Sequence, residues 1–200
     1  DFPLPEIPEH LNKRAHDTFH VAPLTAADFT DSRPHAVIGM VNGEITTTDG
    51  GYTDRIDVDY DILKIAVIER HKNTHHIGLG YIKGYGLKHG AVATSISHDS
   101  HNIIVVGTNS ADMAFAANYI VEHHGGIVVV GVIPVMDGGQ ILGEVALPIA
   151  GIMSDDSLVM VNSALEAAKD EAFRLGVSRG IDPFMTLSFM ALPVIPSLRL

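Results

Sequence analysis

The chain alternates short apolar runs with compact polar breaks, and the runs fall into two periods. Residues 91–96 and 103–107 are nearly unbroken aliphatic stretches rich in β-branched residues, the mark of strands buried on both faces. Residues 36–41 and 44–48 flank Asn42-Gly43, a strong short hairpin signal because both central residues accept positive φ. A lone hairpin is marginal in water, so this pair should join a larger sheet. Residues 61–69 read as a strand or a short helix. In 77–86 glycines alternate with larger residues, as in a strand closely approached by another backbone. Residues 127–133 and 141–147 form a second hairpin around a turn at 136–140.

The other period is helical. Met113, Ala117, Ile120, Val121 and His124 recur at three- and four-residue spacing behind Asn109 or Ser110 as N-cap, with Asp112 in the first turn. Gly125-Gly126 should end that helix in the left-handed position. A second helix opens at residues 154–157 and carries Leu158, Val161, Leu165, Ala168, Ala172 and Leu175 as one apolar stripe toward the core, ending at Gly176. Residues 182–193, dense in apolar side chains, read as a short buried helix or a cavity lining. Residues 1–34 hold five prolines and no sustained period, and should run over a surface with one short helical turn at 25–29. The fold class is therefore α+β: a mixed or mostly antiparallel sheet with two long helices, preceded by a β-hairpin.

Composition narrows the function. A hydrophobic fraction of 46% over 200 residues supports a real core. A formal charge of −11 without basic runs argues against nucleic acid as a partner. No apolar stretch reaches the roughly 18 residues of a membrane span. There is no cysteine, so thiolate metal sites and disulfides are excluded. The N-terminal residues lack both an initiator Met and a signal pattern, and the expectation is a piece of a longer, cytoplasmic protein.

Candidate chemistry centres on Ser97-His98-Asp99-Ser100-His101-Asn102, six polar residues set between two apolar runs. Either the turn satisfies itself by bonding its side chains to its own backbone, or it presents them to a ligand. In the second case Asp99 and His101 accept or shuttle protons, while Ser100 and Asn102 bond a polar heterocycle. Histidine is abundant, 12 residues against 13 Lys plus Arg. His98 and His101, with Glu69, His71, His75 and His76, would make a metal site only if the fold joined three or more of them. Neither an H-x-H pair nor an H-E-x-x-H helix occurs. The glycines of 78–86 lack the Gly-Lys-Ser/Thr ending of a phosphate loop.

Several long motifs, in order, resemble bacterial adenine deaminases of the amidohydrolase superfamily: Ile68-Glu69-Arg70-His71, the glycine-rich 77–87, 97–109, 147–154 and 182–189. The resemblance implies conversion of adenine and water to hypoxanthine and ammonia, in purine salvage, by attack of metal-activated water. It implies a preceding (β/α)₈ barrel that binds the divalent metal, manganese or iron or zinc, mainly outside this chain. It divides the chain into a linker and β-sandwich portion at 1–57, to which the first hairpin would belong, and the C-terminal domain at 58–200. Asp99 and His101 are then the expected catalytic residues, and His98, Ser100, Asn102 and Glu69 the expected substrate-binding ones, with no metal ligand here. The expected partners are adenine, the barrel and further copies of the chain. The other class of reading is a non-catalytic scaffolding or dimerisation domain.

Overall fold

The computed structural model describes residues 7–132, 139–194, 198 and 200. One eight-stranded sheet runs through it: β1 (His35–Met40), β2 (Thr47–Thr53), β3 (Ile62–Ile68), β4 (Ile77–Lys83), β5 (Ala91–Thr94), β6 (Ile103–Gly107), β7 (Gly126–Val132) and β8 (Gly139–Ala146). The spatial order is β2-β1-β4-β3-β6-β5-β7-β8. All neighbours are antiparallel except β1 and β4, so the sheet is mixed and the class is α+β as expected. The helices are α1 (Glu9–His16), α2 (Ser110–Glu122), α3 (Leu158–Arg174) and α4 (Pro183–Ser188), with a 3₁₀ turn at Ala26–Phe29.

The hairpin around Asn42-Gly43 forms, with Gly43 at φ +74°, although its connection is longer than two residues. It is hydrogen-bonded into the main sheet, Val37 opposite Tyr81 and Ile38 opposite Ile82. That pairing crosses residue 57, where the sequence suggested a change of domain. The turn expected at 136–140 falls largely outside the described residues, as do residues 1–6 and 195–197.

Both faces of the sheet are covered, which is why its strands read as continuous apolar runs rather than alternating ones. The pleat still sorts the side chains. Leu63, Ile65, Val92, Ile104, Val106 and Val129 point to the face covered by α3 and α4. Ala66, Ile68, Ala91, Ala93, Ile103, Val105, Val128 and Val130 point to the face covered by α2 and the segment around Leu24 and Phe29. The proline-rich N-terminal segment is thus part of the second core layer. It contains a helix, α1, that periodicity did not show because α1 buries no residue.

Helix α2 starts as expected: Asn109 Oδ1 accepts from the Asp112 N–H at 2.8 Å, and Asn109 Nδ2 donates back to Asp112 at 2.6 Å. Its left-handed end is His124 at φ +59°, not a glycine. Gly125 and Gly126 serve close approach instead, since a Cβ on Gly125 would sit 2.4 Å from Gly151 Cα. Helix α3 lies so close to β8 that a Cβ on Gly143 would be 2.8 Å from Ala168 Cα. Only Ala168 and Ala172 of its stripe are fully buried, and its first turn leaves Leu158, Val159 and Met160 83%, 74% and 62% exposed.

Candidate functional site

The topology gathers one end of the sheet. Because β3 pairs antiparallel with β6, Ile68 lies opposite Ile103, which sets the 69–76 turn beside the 95–102 loop. Thr94 lies opposite Ile127, which brings the start of β7 to the same end. The candidate residues are therefore neighbours, through four strand ends rather than sequence proximity.

The loop is held by its backbone. The His98 N–H donates to Ser188 O at 3.0 Å, and the His101 N–H donates to Ser97 O at 2.6 Å. His71 Nε2 pairs with the Ser100 carbonyl at 2.7 Å. Arg70 Nε donates to the His101 carbonyl. Arg70 is 2% exposed, and its other nitrogens reach Thr18 O, Thr18 Oγ1 and Ala150 O at 2.9, 3.1 and 2.9 Å. Its guanidinium lies 4.2 Å from the Phe19 ring centre. Burial with neutral partners only pulls its pKa down to about 10. One cation thus ties three segments together: 18–19, 101 and 150.

The side chains of the loop are largely unengaged. Asp99 and Ser100 are exposed at its tip. Ser97 Oγ, His101 Nδ1 and Asn102 Oδ1 are buried without a hydrogen-bond partner among the described residues. A self-satisfied turn would have used these atoms on its own backbone. His101, at φ +50°, has its pKa lowered, first by burial and then by the neighbouring His98, Arg70 and His71, with Asp99 opposing. It is therefore a neutral imidazole near pH 7, able to accept a proton. The His98 and His101 rings are 5.7 Å apart.

The expected site residues divide between two concavities. His98 stacks on Phe189, ring centres 4.8 Å apart and 20° from parallel. It also lines a cavity of about 340 Å³ together with Thr94, Ile96, Ile127, Leu165, Lys169, Asp182, Phe184, Met185 and Ser188. Residues 182–189 are thus both the short helix and the cavity lining that their composition allowed. Asn102 and Glu69 line a separate groove of about 620 Å³ with His75, His76 and Leu200. Glu69 is engaged within its own turn: it accepts from the N–H groups of His71, Lys72 and Thr74 and from the Thr74 hydroxyl, at 2.6 to 3.2 Å. Burial raises its pKa, but these bonds outweigh burial and bring it to about 2. Among the described residues no group of three or more His, Asp or Glu side chains could hold a metal ion. No helix among them is long and apolar enough to cross a membrane.

The profile of the adenine deaminase C-terminal domain family matches residues 39–200. The chain belongs to this family. An adenine deaminase of Bacillus subtilis is 49% identical over 144 residues, which is 72% of this chain and 24% of that protein. One from Bacillus velezensis is 43% identical over 189 residues, 90% of the chain and 32% of the relative. One from Listeria welshimeri is 37% identical over 205 residues, all of the chain and 33% of the relative. The chain thus spans a quarter to a third of the length of the curated relatives it matches.

Within this adenine deaminase C-terminal domain, sequence reasoning missed three contributors. Phe189 and the Lys169–Asp182 pair (3.0 Å) were not singled out within a run read as a short helix, a cavity lining and a family-like motif, and within a helix read for its stripe. Arg70 entered only as part of a motif. Its signal was available: an arginine two residues past the last buried strand residue, at a strand end that has to be tied down.

Proposed function

We propose that this chain is the C-terminal part of an adenine deaminase and that its 97–102 loop completes the purine pocket. The observation that carries the reading is the division of labour in the loop. Arg70, His71 and Ser188 hold the loop backbone from outside, which leaves the Asp99, His101 and Asn102 side chains to act on a ligand, with Ser100 Oγ engaged by the Asn102 N–H alone, at 3.5 Å. Buried polar groups without partners are uncommon in folded proteins, and three in six residues argue for a missing partner. Adenine offers ring nitrogens and an exocyclic amine, and hydroxyl, amide and imidazole groups complement both.

In this reading Asp99 and His101 handle protons on the purine ring and its leaving amine, and Ser100 and Asn102 orient it, while Glu69, engaged by its own turn, shapes the loop beside it and His98 faces the neighbouring cavity. A divalent metal, manganese or iron or zinc, supplies activated water in the complete enzyme. The described residues do not form a ligand set for it, and the roles proposed for this chain are binding and proton handling. The preceding barrel is the natural partner for the loop tip, and cytoplasmic purine salvage the natural setting.

The test is to change Asp99→Asn and His101→Asn in the complete enzyme and measure adenine turnover with metal content. A loss of kcat of about a hundredfold or more at unchanged metal content is expected, the scale of a lost acid or base. Wild-type turnover at unchanged metal content would overturn the pocket reading. The other reading, a scaffolding or dimerisation domain, draws on Leu158, Val159 and Met160, which present apolar surface at the start of α3. It predicts that Leu158→Asp lowers the assembly mass while the loop variants leave activity intact.

A further inference from the structure

We infer that the apolar surface at the start of α3 seats the part of the complete enzyme that precedes this chain, through an apolar side chain flanked by basic residues. The inference rests on the reading of the chain as the C-terminal part of a longer protein, and goes beyond it by naming the contact surface and the chemistry of what covers it.

The surface is an uncovered continuation of a core stripe. Leu158, Val161 and Leu165 follow one another at three- and four-residue spacing and share one face of α3. Leu165 lines the cavity beside His98, Val161 is half-buried, and Leu158 is exposed. Val159 and Met160 beside it, Met153 just before the helix and Met185 at the cavity are exposed as well. Single exposed apolar residues are ordinary, but a group of this size marks a contact surface. The charges of the cavity wall are already matched, since Lys169 Nζ lies 3.0 Å from Asp182 and 3.5 Å from Glu166. The wall therefore asks for an apolar side chain.

Position and charge identify the occupant. Val145 lies opposite Ile127, and Ile127 opposite Thr94, so β8 ends where the 97–102 loop begins. The chain then passes through the 149–153 turn into α3, at that same end of the sheet. Helix α1, the described helix nearest any preceding part in sequence, docks on this turn, where the Ala150 N–H donates to Ala15 O at 2.6 Å. The curated relatives are long enough to supply a cover, because the chain spans only a quarter to a third of them. A second copy is the poorer fit. Asp155 and Asp156 are exposed just before α3, and Glu166 is exposed along it. A two-fold contact would set these carboxylates against their own copies, in a chain of formal charge −11. Lysine or arginine at the rim of the occupant would complement them.

The experiment is limited oxidation by peroxide, read by peptide mass, at Met153 and Met160. Both should oxidise readily in the 200-residue chain at any concentration, and at least about fivefold more slowly in the complete enzyme. Leu158→Asp alters an exposed side chain and should leave the 200-residue chain as stable as before. In the complete enzyme it should return both methionines toward the rate of the shorter chain, whereas Leu158→Met, which keeps the volume, should preserve their protection. Equal oxidation in the two proteins would overturn the inference. So would protection that appears in the 200-residue chain as its concentration rises, or that leaves the complete enzyme on dilution, because the occupant would then be a second copy. Turnover of the Asp99 and His101 variants tests the purine pocket separately. Protected methionines with wild-type turnover in those variants would sink the pocket alone, and reactive methionines with lost turnover the docking surface alone.

Discussion

The guanidinium of Arg70 donates to the backbone carbonyl of His101, reaching from the end of β3 to the far side of the polar loop. Among the described residues no carboxylate pairs with this buried arginine, whose hydrogen bonds there all go to neutral oxygens of residues 18, 101 and 150. Removing it leaves those carbonyls without their donor in the interior. Arg70→Met should therefore destabilise the chain by about 2–4 kcal/mol, the range for breaking a buried hydrogen-bonded charge. Lysine has no planar fork and cannot serve three segments at once, so Arg70→Lys should recover less than half of the loss. Urea unfolding of both variants reads this directly, and equal stability of Arg70→Met and wild type would refute the clamp.

The lowered pKa of His101 gives a pH signature. A histidine whose folded pKa lies below its unfolded value takes up its proton first in the unfolded chain. Its contribution is present above the ordinary pKa of 6.5 and is lost as the pH falls from there toward the folded value. Imidazole NMR should place the His101 midpoint below 6.5. Because His98 is one of the causes, His98→Asn should move that midpoint upward, and an unmoved midpoint would separate the two rings electrostatically.

Glu69 titrates with the same sign in a lower pH window. Its folded pKa is brought from 4.5 to about 2 despite burial, by the Thr74 hydroxyl and the N–H groups of His71, Thr74 and Lys72. The stabilisation is present above pH 4.5 and disappears as the pH falls toward 2. Glu69 is only partly buried, so screening keeps the effect modest. Glu69→Gln should flatten the stability profile across that window and raise amide exchange at residues 71, 72 and 74. If exchange there is unchanged, the carboxylate does not organise the turn.

Much of this architecture could be read from residues, and the failures share one cause. The strands were legible because 62–68, 91–94, 103–107 and 126–132 are largely buried on both faces and so are apolar but for Lys64 and Thr94. The loop was legible because polarity between such strands is costly without a purpose. Invisible were contacts made by backbone. Nothing in the composition of residues 17–29 announces that Leu24 and Phe29 complete a core layer, or that the Leu24 N–H donates to Asn118 at 2.9 Å. The stripe of α3 predicted a buried face along its whole length, but periodicity says which side of a helix is apolar and not how far the sheet beneath it extends. Leu158 lies beyond that support. The split of His98 from Asn102 was likewise beyond reach, since adjacent loop residues diverge according to packing partners distant in sequence.

The end of α2 offers a test in which two neighbouring positions should respond in opposite directions. His124 occupies the left-handed conformation at φ +59°, while the Gly125 N–H returns to Ile120 O at 2.9 Å and closes the helix. A side chain in that conformation is strained, whereas glycine adopts it without penalty. His124 is exposed, and its side chain has no hydrogen bond or ion pair among the described residues, so His124→Gly should stabilise the chain by about 0.5–1 kcal/mol. Gly125 is different. Its φ of +118° is closed to other residues, and a Cβ there would meet Gly151 Cα at 2.4 Å, Leu147 O at 2.8 Å and the Phe19 ring at 3.1 Å. Two of those contacts are backbone and cannot rotate away. Gly125→Ala should cost about 2–4 kcal/mol, by conformational strain and overpacking together. It should also loosen the 147–151 segment that Arg70 holds at Ala150, so hydrogen exchange there should rise in Gly125→Ala and not in His124→Gly. Equal effects at the two positions would mean that the helix end, and not the approach of the 151 turn, sets the requirement for glycine.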